Sequence, residues 1–272
     1  MKLDMGQAWN SATELLSKNK DVVLIVAGVF LFLPAFALAL LVPGLDQTVA
    51  NPEDADAMIA ALSETYQTYW WAFILSAIAN TLGTLTLLTL LTDSGRPTVA
   101  EALKLGAKGI LPYLAAQILI VIVAALVIGF PLGLGIASKV APLIAVLGFF
   151  AIIAFIYLMV KFSLITPVIA IDKIYNPIQV LKRSWALTKG NSIRLFAFFV
   201  LLFLAVIVIV LVVQGVLSVV LALVGGQVEL IGMAIISSLA NTIFAIVILA
   251  VLAGVHRQFA GPSAENVSDT FA

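Results

Sequence analysis

The chain contains no cysteine, a single histidine and charged side chains at only 10% of its positions. Without cysteine there is no disulfide framework and no thiolate metal site. With one histidine, His256, no paired His and carboxylate stand at ligand spacing, and neither a Walker loop nor a glycine-rich dinucleotide turn occurs. Catalysis needs placed acids, bases, nucleophiles or metals, so these residues imply a non-enzymatic protein that carries no cofactor and no metal. His256 stands beside Arg257 at the end of an apolar run, where it reads as a snorkelling side chain in contact with lipid headgroups. No carboxylate pair lies in the middle of an apolar run, which argues against an ion-coupled pump. The formal net charge is zero, and no nucleic-acid partner is expected.

What the chain has in excess is apolar residues: 63% of it is hydrophobic and its mean hydropathy is +1.19, against roughly 45–50% apolar usage in soluble domains. About 20 apolar residues at a rise of 1.5 Å cross about 30 Å of hydrocarbon. Six runs qualify, at about 22–42, 70–92, 110–130, 141–165, 195–224 and 230–255. They are apolar all round, whereas barrel strands alternate apolar and polar positions. The expected fold class is therefore an all-α integral membrane protein with six transmembrane helices. The loops are too short for a soluble domain, so residues 1–272 read as a single membrane domain. The Ala-x-Ala patterns of "AFALAL" resemble a signal-peptide cleavage site. The run around them exceeds the usual core of about 7–15 residues and follows a long, partly acidic leader, so a retained span is expected.

The distribution of charge orients these spans. Lys2, Lys18 and Lys20 precede the first; Arg96, Lys104 and Lys108 follow the second; Lys173, Lys182, Arg183, Lys189 and Arg194 follow the fourth; Arg257 follows the sixth. The opposite side carries only Lys139 and the acidic first loop, with Asp46, Glu53, Asp54, Asp56 and Glu64. Short cytoplasmic loops are enriched in Lys and Arg, so both termini are expected in the cytoplasm and the acidic loop outside. "YWW" at Tyr69 to Trp71 meets the second span where aromatic belts form.

The cytoplasmic segments echo one another. "TDSGRPTVAEALKLGAKGILPYL" and "IDKIYNPIQVLKRSWALTKGNSIRLF" share an acid (Asp93, Asp172), a proline (Pro97, Pro177), an amphipathic stretch and Lys-Gly before a new span. The N-terminal "MGQAWNSATELLSKNKDVVLI" repeats the later half. Proline opens helices and glycine or asparagine closes them, so interfacial amphipathic helices are expected at about 4–18, 97–108 and 177–189. Their apolar residues, such as Met5, Trp9, Ala12 and Leu16, or Ile178, Leu181 and Trp185, recur every three or four positions. "SAIANTL" at 76–82 returns as "SSLANTI" at 237–243, which suggests three repeated hairpin units.

Polar side chains inside a span are functional candidates. Asn80 and Asn241 belong to the two echoes, and Lys161 lies midway between them in sequence. The asparagines are expected to point into the bundle and bond between helices; Lys161 either snorkels to the interface or lines a cavity. The threonines of the second span (Thr81, Thr84, Thr86, Thr89, Thr92) are expected to bond their own preceding carbonyls or a neighbouring helix. A surface site is expected at Lys182, Arg183, Trp185, Lys189 and Arg194, where a basic face meets anionic headgroups.

Residues 166–196 also resemble a known group. Pro167 closing a span, Asp172, the "RSW" of Arg183 to Trp185 and the "TKGN" of Thr188 to Asn191 are similar to the membrane-domain family named after glycerophosphodiester phosphodiesterases and to YciC-like inner-membrane proteins. The resemblance implies a bacterial cytoplasmic membrane and transfers no catalytic residue, because the phosphodiesterase activity belongs to a soluble domain without counterpart here. The expected role is to organise or regulate membrane partners or lipids, with the bilayer, its anionic headgroups and a membrane protein as partners. The alternative is a transporter or lipid-handling protein with a site among Asn80, Lys161 and Asn241.

Overall fold

The computed structural model describes residues 2–42, 55–93, 95 and 97–260, and among them every regular element is helical. Asp46, Glu53, Asp54, the Asp56 side chain and Arg96, used above to orient the chain, lie outside the described residues. Six helical segments are long and apolar enough to cross a membrane: Lys20–Leu41, Met58–Thr92, Val99–Ser138, Ala141–Ala170, Ser192–Val224 and Gly226–Ala260.

In chain order, α1 is Met5–Lys18, α2 is Lys20–Leu41, α3 is Ala55–Thr92 and α4 is Val99–Ser138; α5 is Ala141–Phe162 and α6 Ile165–Ala170. The short α7 is Pro177–Thr188, α8 is Ser192–Val224 and α9 is Gly226–Ala260. Local chemistry starts them. The Asp4 carboxylate accepts from the Gln7 N–H at 2.9 Å to open α1. Thr98 and Glu101 form a reciprocal capping box at α4, and the Asn176 side chain accepts from Ile178 and Gln179 ahead of Pro177 in α7. Each satisfies N–H groups that a helix start otherwise leaves open.

α2 and α4 each contain a π-helical turn, Gly28–Phe32 and Ala125–Gly129, two residues before Pro34 and Pro131. Proline lacks an N–H and crowds the carbonyl four residues back, and a widened turn accommodates that mismatch. α8 has no such turn or proline. α3 changes direction at Tyr69, beside the exposed Trp70 and Trp71.

One expected element is absent as a separate piece. Residues 97–108 form no free-standing helix, because α4 runs from Val99 through Lys108-Gly109 without interruption. The glycines here serve packing and do not stop the helix. A Cβ at Gly106 would come within 2.6 Å of Thr86 Oγ1, and one at Gly109 within 2.9 Å of Leu85. α4 therefore approaches α3 almost backbone to backbone, as small residues permit between apolar helices.

The core sits at one end of the bundle. Val160 of α5, Leu164 in the turn after it, and Ile165, Val168 and Ile169 of α6 pack with Ala250, Val251 and Val255 of α9 and with Ala8 and Ala12 of α1. A second cluster joins Val23, Val26 and Leu31 of α2 to Leu87, Leu88 and Leu91 of α3. α1 lies against the end of α9 so closely that a Cβ on Gly254 would stand 2.6 Å from the Ala8 carbonyl oxygen.

Candidate functional site

Asp172, in the turn after α6, is the hub of the basic end. Its Oδ2 lies 3.0 Å from Arg183 Nε on α7, and its Oδ1 lies 3.0 Å from His256 Nε2 on α9. The Arg183 contact is a hydrogen bond. The His256 contact has ion-pair distance but not the alignment of a hydrogen bond, so its contribution is electrostatic. Burial pushes the Asp172 carboxyl upward; the neighbouring imidazole and guanidinium outweigh that and hold it below the usual aspartate range. Lys173 pairs with Asp93 at 3.4 Å alongside.

Further bonds tie the same end together. Ser184 Oγ donates to the Lys161 carbonyl at 2.8 Å, taking up an acceptor at the end of α5. Asn191 Oδ1 accepts from the Leu3 N–H at 2.9 Å. Gln258 Nε2 donates to the Asp4 carbonyl at 2.9 Å, and its Oε1 accepts from the Asp4 N–H. Thus α1, α5, α7 and α9 are joined by polar contacts from residues 3 to 258.

α7 has two faces. Val180, Ser184, Leu187 and Thr188 are buried against the protein, whereas Ile178 and Trp185 of the expected stripe are exposed. Lys182, Lys189 and Arg194 are also exposed and have no carboxylate partner among the described residues. Arg183 differs from them, since Asp172 already engages its charge.

Lys161 is 3% exposed. Its ammonium lies 5.1 Å from the Trp185 ring centroid and 5.5 Å from that of Tyr157, so two aromatic faces cage the charge. Trp185 meets Tyr157 edge to face and also contacts Phe162. Asn80 and Asn241 do not point into the packed bundle as expected; both are exposed. Thr84 donates to Asn80 Oδ1 at the outer limit of hydrogen bonding, 3.5 Å. The three polar residues of the spans are therefore not brought together. Neither of two shallow hollows, one lined by Asp93, Glu101 and Lys104 and one by Val127, Phe150 and Tyr157, includes any of them. In α3, Thr89 and Thr92 donate to the carbonyls of Leu85 and Leu88. Thr86 Oγ1 is buried against Gly106 without a hydrogen-bond partner among the described residues.

His256 is likewise corrected: it is 2% exposed and faces Asp172, not a headgroup. It lies on the face of α9 turned toward the end of α6, where Asp172 meets it. The hub has a sequence signal that charge counting overlooks, because Asp172 is the sole acid between Glu101 and Glu229. A family model described as a domain of unknown function, DUF7847, matches residues 3–259. The chain belongs to that family. The DUF7847 match takes in every residue of the hub and of the exposed basic face. No curated protein and no solved structure matches the chain.

Proposed function

We propose that the chain is a non-enzymatic, multi-pass protein of a bacterial inner membrane that organises or regulates lipids or membrane partners through its basic end. The observation that carries this reading is the outer face of α7 and the start of α8. There Lys182, Lys189 and Arg194 stand exposed beside Ile178 and Trp185, while Asp172 secures the inner face through Arg183. A helix with an apolar stripe and an unneutralised basic edge lies along a membrane surface. With the six spans inserted, the excess of cations at this end supports a cytoplasmic location for both termini. The similarity to the phosphodiesterase membrane-domain and YciC-like proteins supports the same location. His256 is enclosed and turned to Asp172, so it is not presented to a bound molecule, which supports the non-enzymatic reading. The three-hairpin ancestry belongs to this reading too, supported by the prolines and π-helical turns that α2 and α4 share.

Each Lys or Arg near an anionic surface contributes about 1 kcal/mol before screening. Replacing Lys182 and Arg194 with Glu is therefore expected to strip most of the anionic lipid from the purified protein and to leave insertion unchanged. Native mass spectrometry from nanodiscs measures this. Undiminished anionic-lipid retention in a correctly inserted double variant would refute the surface role.

A further inference from the structure

An apolar groove of about 400 Å³ runs between α4 and α5, with Val127 and Pro131 on one wall and Leu147, Phe150, Ala154 and Tyr157 on the other. The α5 residues recur at intervals of three and four, so they form one stripe of the helix. Four residues beyond Tyr157 the stripe ends in Lys161. Tyr157 belongs to both features: it lines the groove, and its ring is one wall of the cage around the ammonium. From Leu147 to Lys161 the helix rises by about 21 Å, enough for one acyl chain in a leaflet of about 15 Å.

The charge at the end of this groove is incomplete. The Lys161 ammonium has ring faces around it but no carboxylate within ion-pair distance among the described residues; Lys189, four residues beyond the caging Trp185 at the end of α7, adds an exposed second cation on the same side of that helix. Two cations gathered at the edge of an apolar region call for an anion, because an uncompensated charge there is costly.

We propose that the groove between α4 and α5 holds one acyl chain of an anionic glycerophospholipid whose phosphate lies against Trp185 between Lys161 and Lys189. Lys189 meets the phosphate directly. Lys161 acts from behind the aromatic faces, where low dielectric preserves its field. The inference rests on the anionic-lipid reading above but concerns a single bound lipid, distinct from the shell around Lys182 and Arg194.

The test is native mass spectrometry of the full chain from nanodiscs of equal phosphatidylglycerol and phosphatidylcholine, under increasing collisional activation. One phosphatidylglycerol is expected to survive activation that removes the others. Lys189→Met, an exposed change that leaves the core intact, is expected to lower its retention about fivefold, as loss of one cation near the phosphate would. Lys161→Met is expected to do the same and Lys161→Arg to restore it. Ala154→Phe is expected to displace the lipid by filling the groove. The Lys182 and Arg194 double variant is expected to lose the easily removed lipids and keep the tight one. Retention unchanged in Lys189→Met or in Ala154→Phe would overturn the proposal, whatever the fate of the surface reading. So would equal retention of phosphatidylcholine, displacement by inorganic phosphate at millimolar concentration, or a dimer of this chain that Ala154→Phe dissociates.

Discussion

The two ends of the bundle are built from similar apolar residues and packed very differently. At the end that carries α1 and α7, Leu88, Val168 and Val255 are fully buried. At the other end Leu134, Phe149 and Leu223 stand mostly exposed on α4, α5 and α8. Hydrophobicity does not distinguish them, since all six segments are strongly apolar. In a bilayer, lipid satisfies an apolar side chain as well as a neighbouring helix does, so packing is driven by close backbone approach and polar contacts. The packed end has both, with glycines at positions 106, 109 and 254 and a hub at Asp172. The open end has glycines too, but Gly135 and Gly232 first meet the side chains of Leu147 and Leu221 rather than a neighbouring backbone, and no polar hub joins its helices among the described residues.

The strongest way to break this contrast is Gly254→Val. Its side chain has no room against the Ala8 carbonyl, so α1 must lift from α9, and overpacking of this kind costs about 1–3 kcal/mol. A clear fall in the thermal midpoint in detergent is expected, together with protease access near the N-terminus. A midpoint within experimental error of the parent would show that α1 is not held by this contact.

Asp172→Asn is expected to cost somewhat less, about 1–2 kcal/mol, because Arg183 retains solvent access while His256 loses its charged partner. The pH dependence has a defined sign. The folded carboxyl titrates below its unfolded value of about 3.9, so its stabilisation is fully present above that value and is lost as pH falls through the depressed folded value. The gap in midpoint between parent and Asp172→Asn is thus expected to stay open from neutral pH to mildly acid conditions and to close only below. A gap that closed between pH 7 and 5 would assign the effect to another group.

Asn191→Ala removes the acceptor of the Leu3 N–H and is expected to cost about 1 kcal/mol, read as faster hydrogen exchange at the start of the chain. The smallest effect is expected at the open end. Leu134→Ala and Leu223→Ala are predicted to change the midpoint by less than about 0.5 kcal/mol equivalent, because each side chain is more than half exposed. A large loss at either would mean that another surface covers the open end.

Much of the architecture was legible in residue order. Six long apolar runs determined six helices, since a backbone in hydrocarbon must satisfy its own hydrogen bonds within the segment. Pro177 and the recurrence of Ile178, Leu181 and Trp185 marked α7, and the spacing of Met5, Trp9, Ala12 and Leu16 marked α1. Tertiary structure decided what those signals do in three dimensions. It turned Gly109 from a helix stop into a seat for Leu85 and Ile169, because a glycine's meaning depends on what approaches it. It enclosed His256, placed Asn80 and Asn241 on the surface, and caged Lys161 between rings contributed by α5 and α7. Apolar periodicity is silent on such pairings, because a helix surrounded by lipid and a helix surrounded by protein have the same composition, and only the partner across the interface separates them.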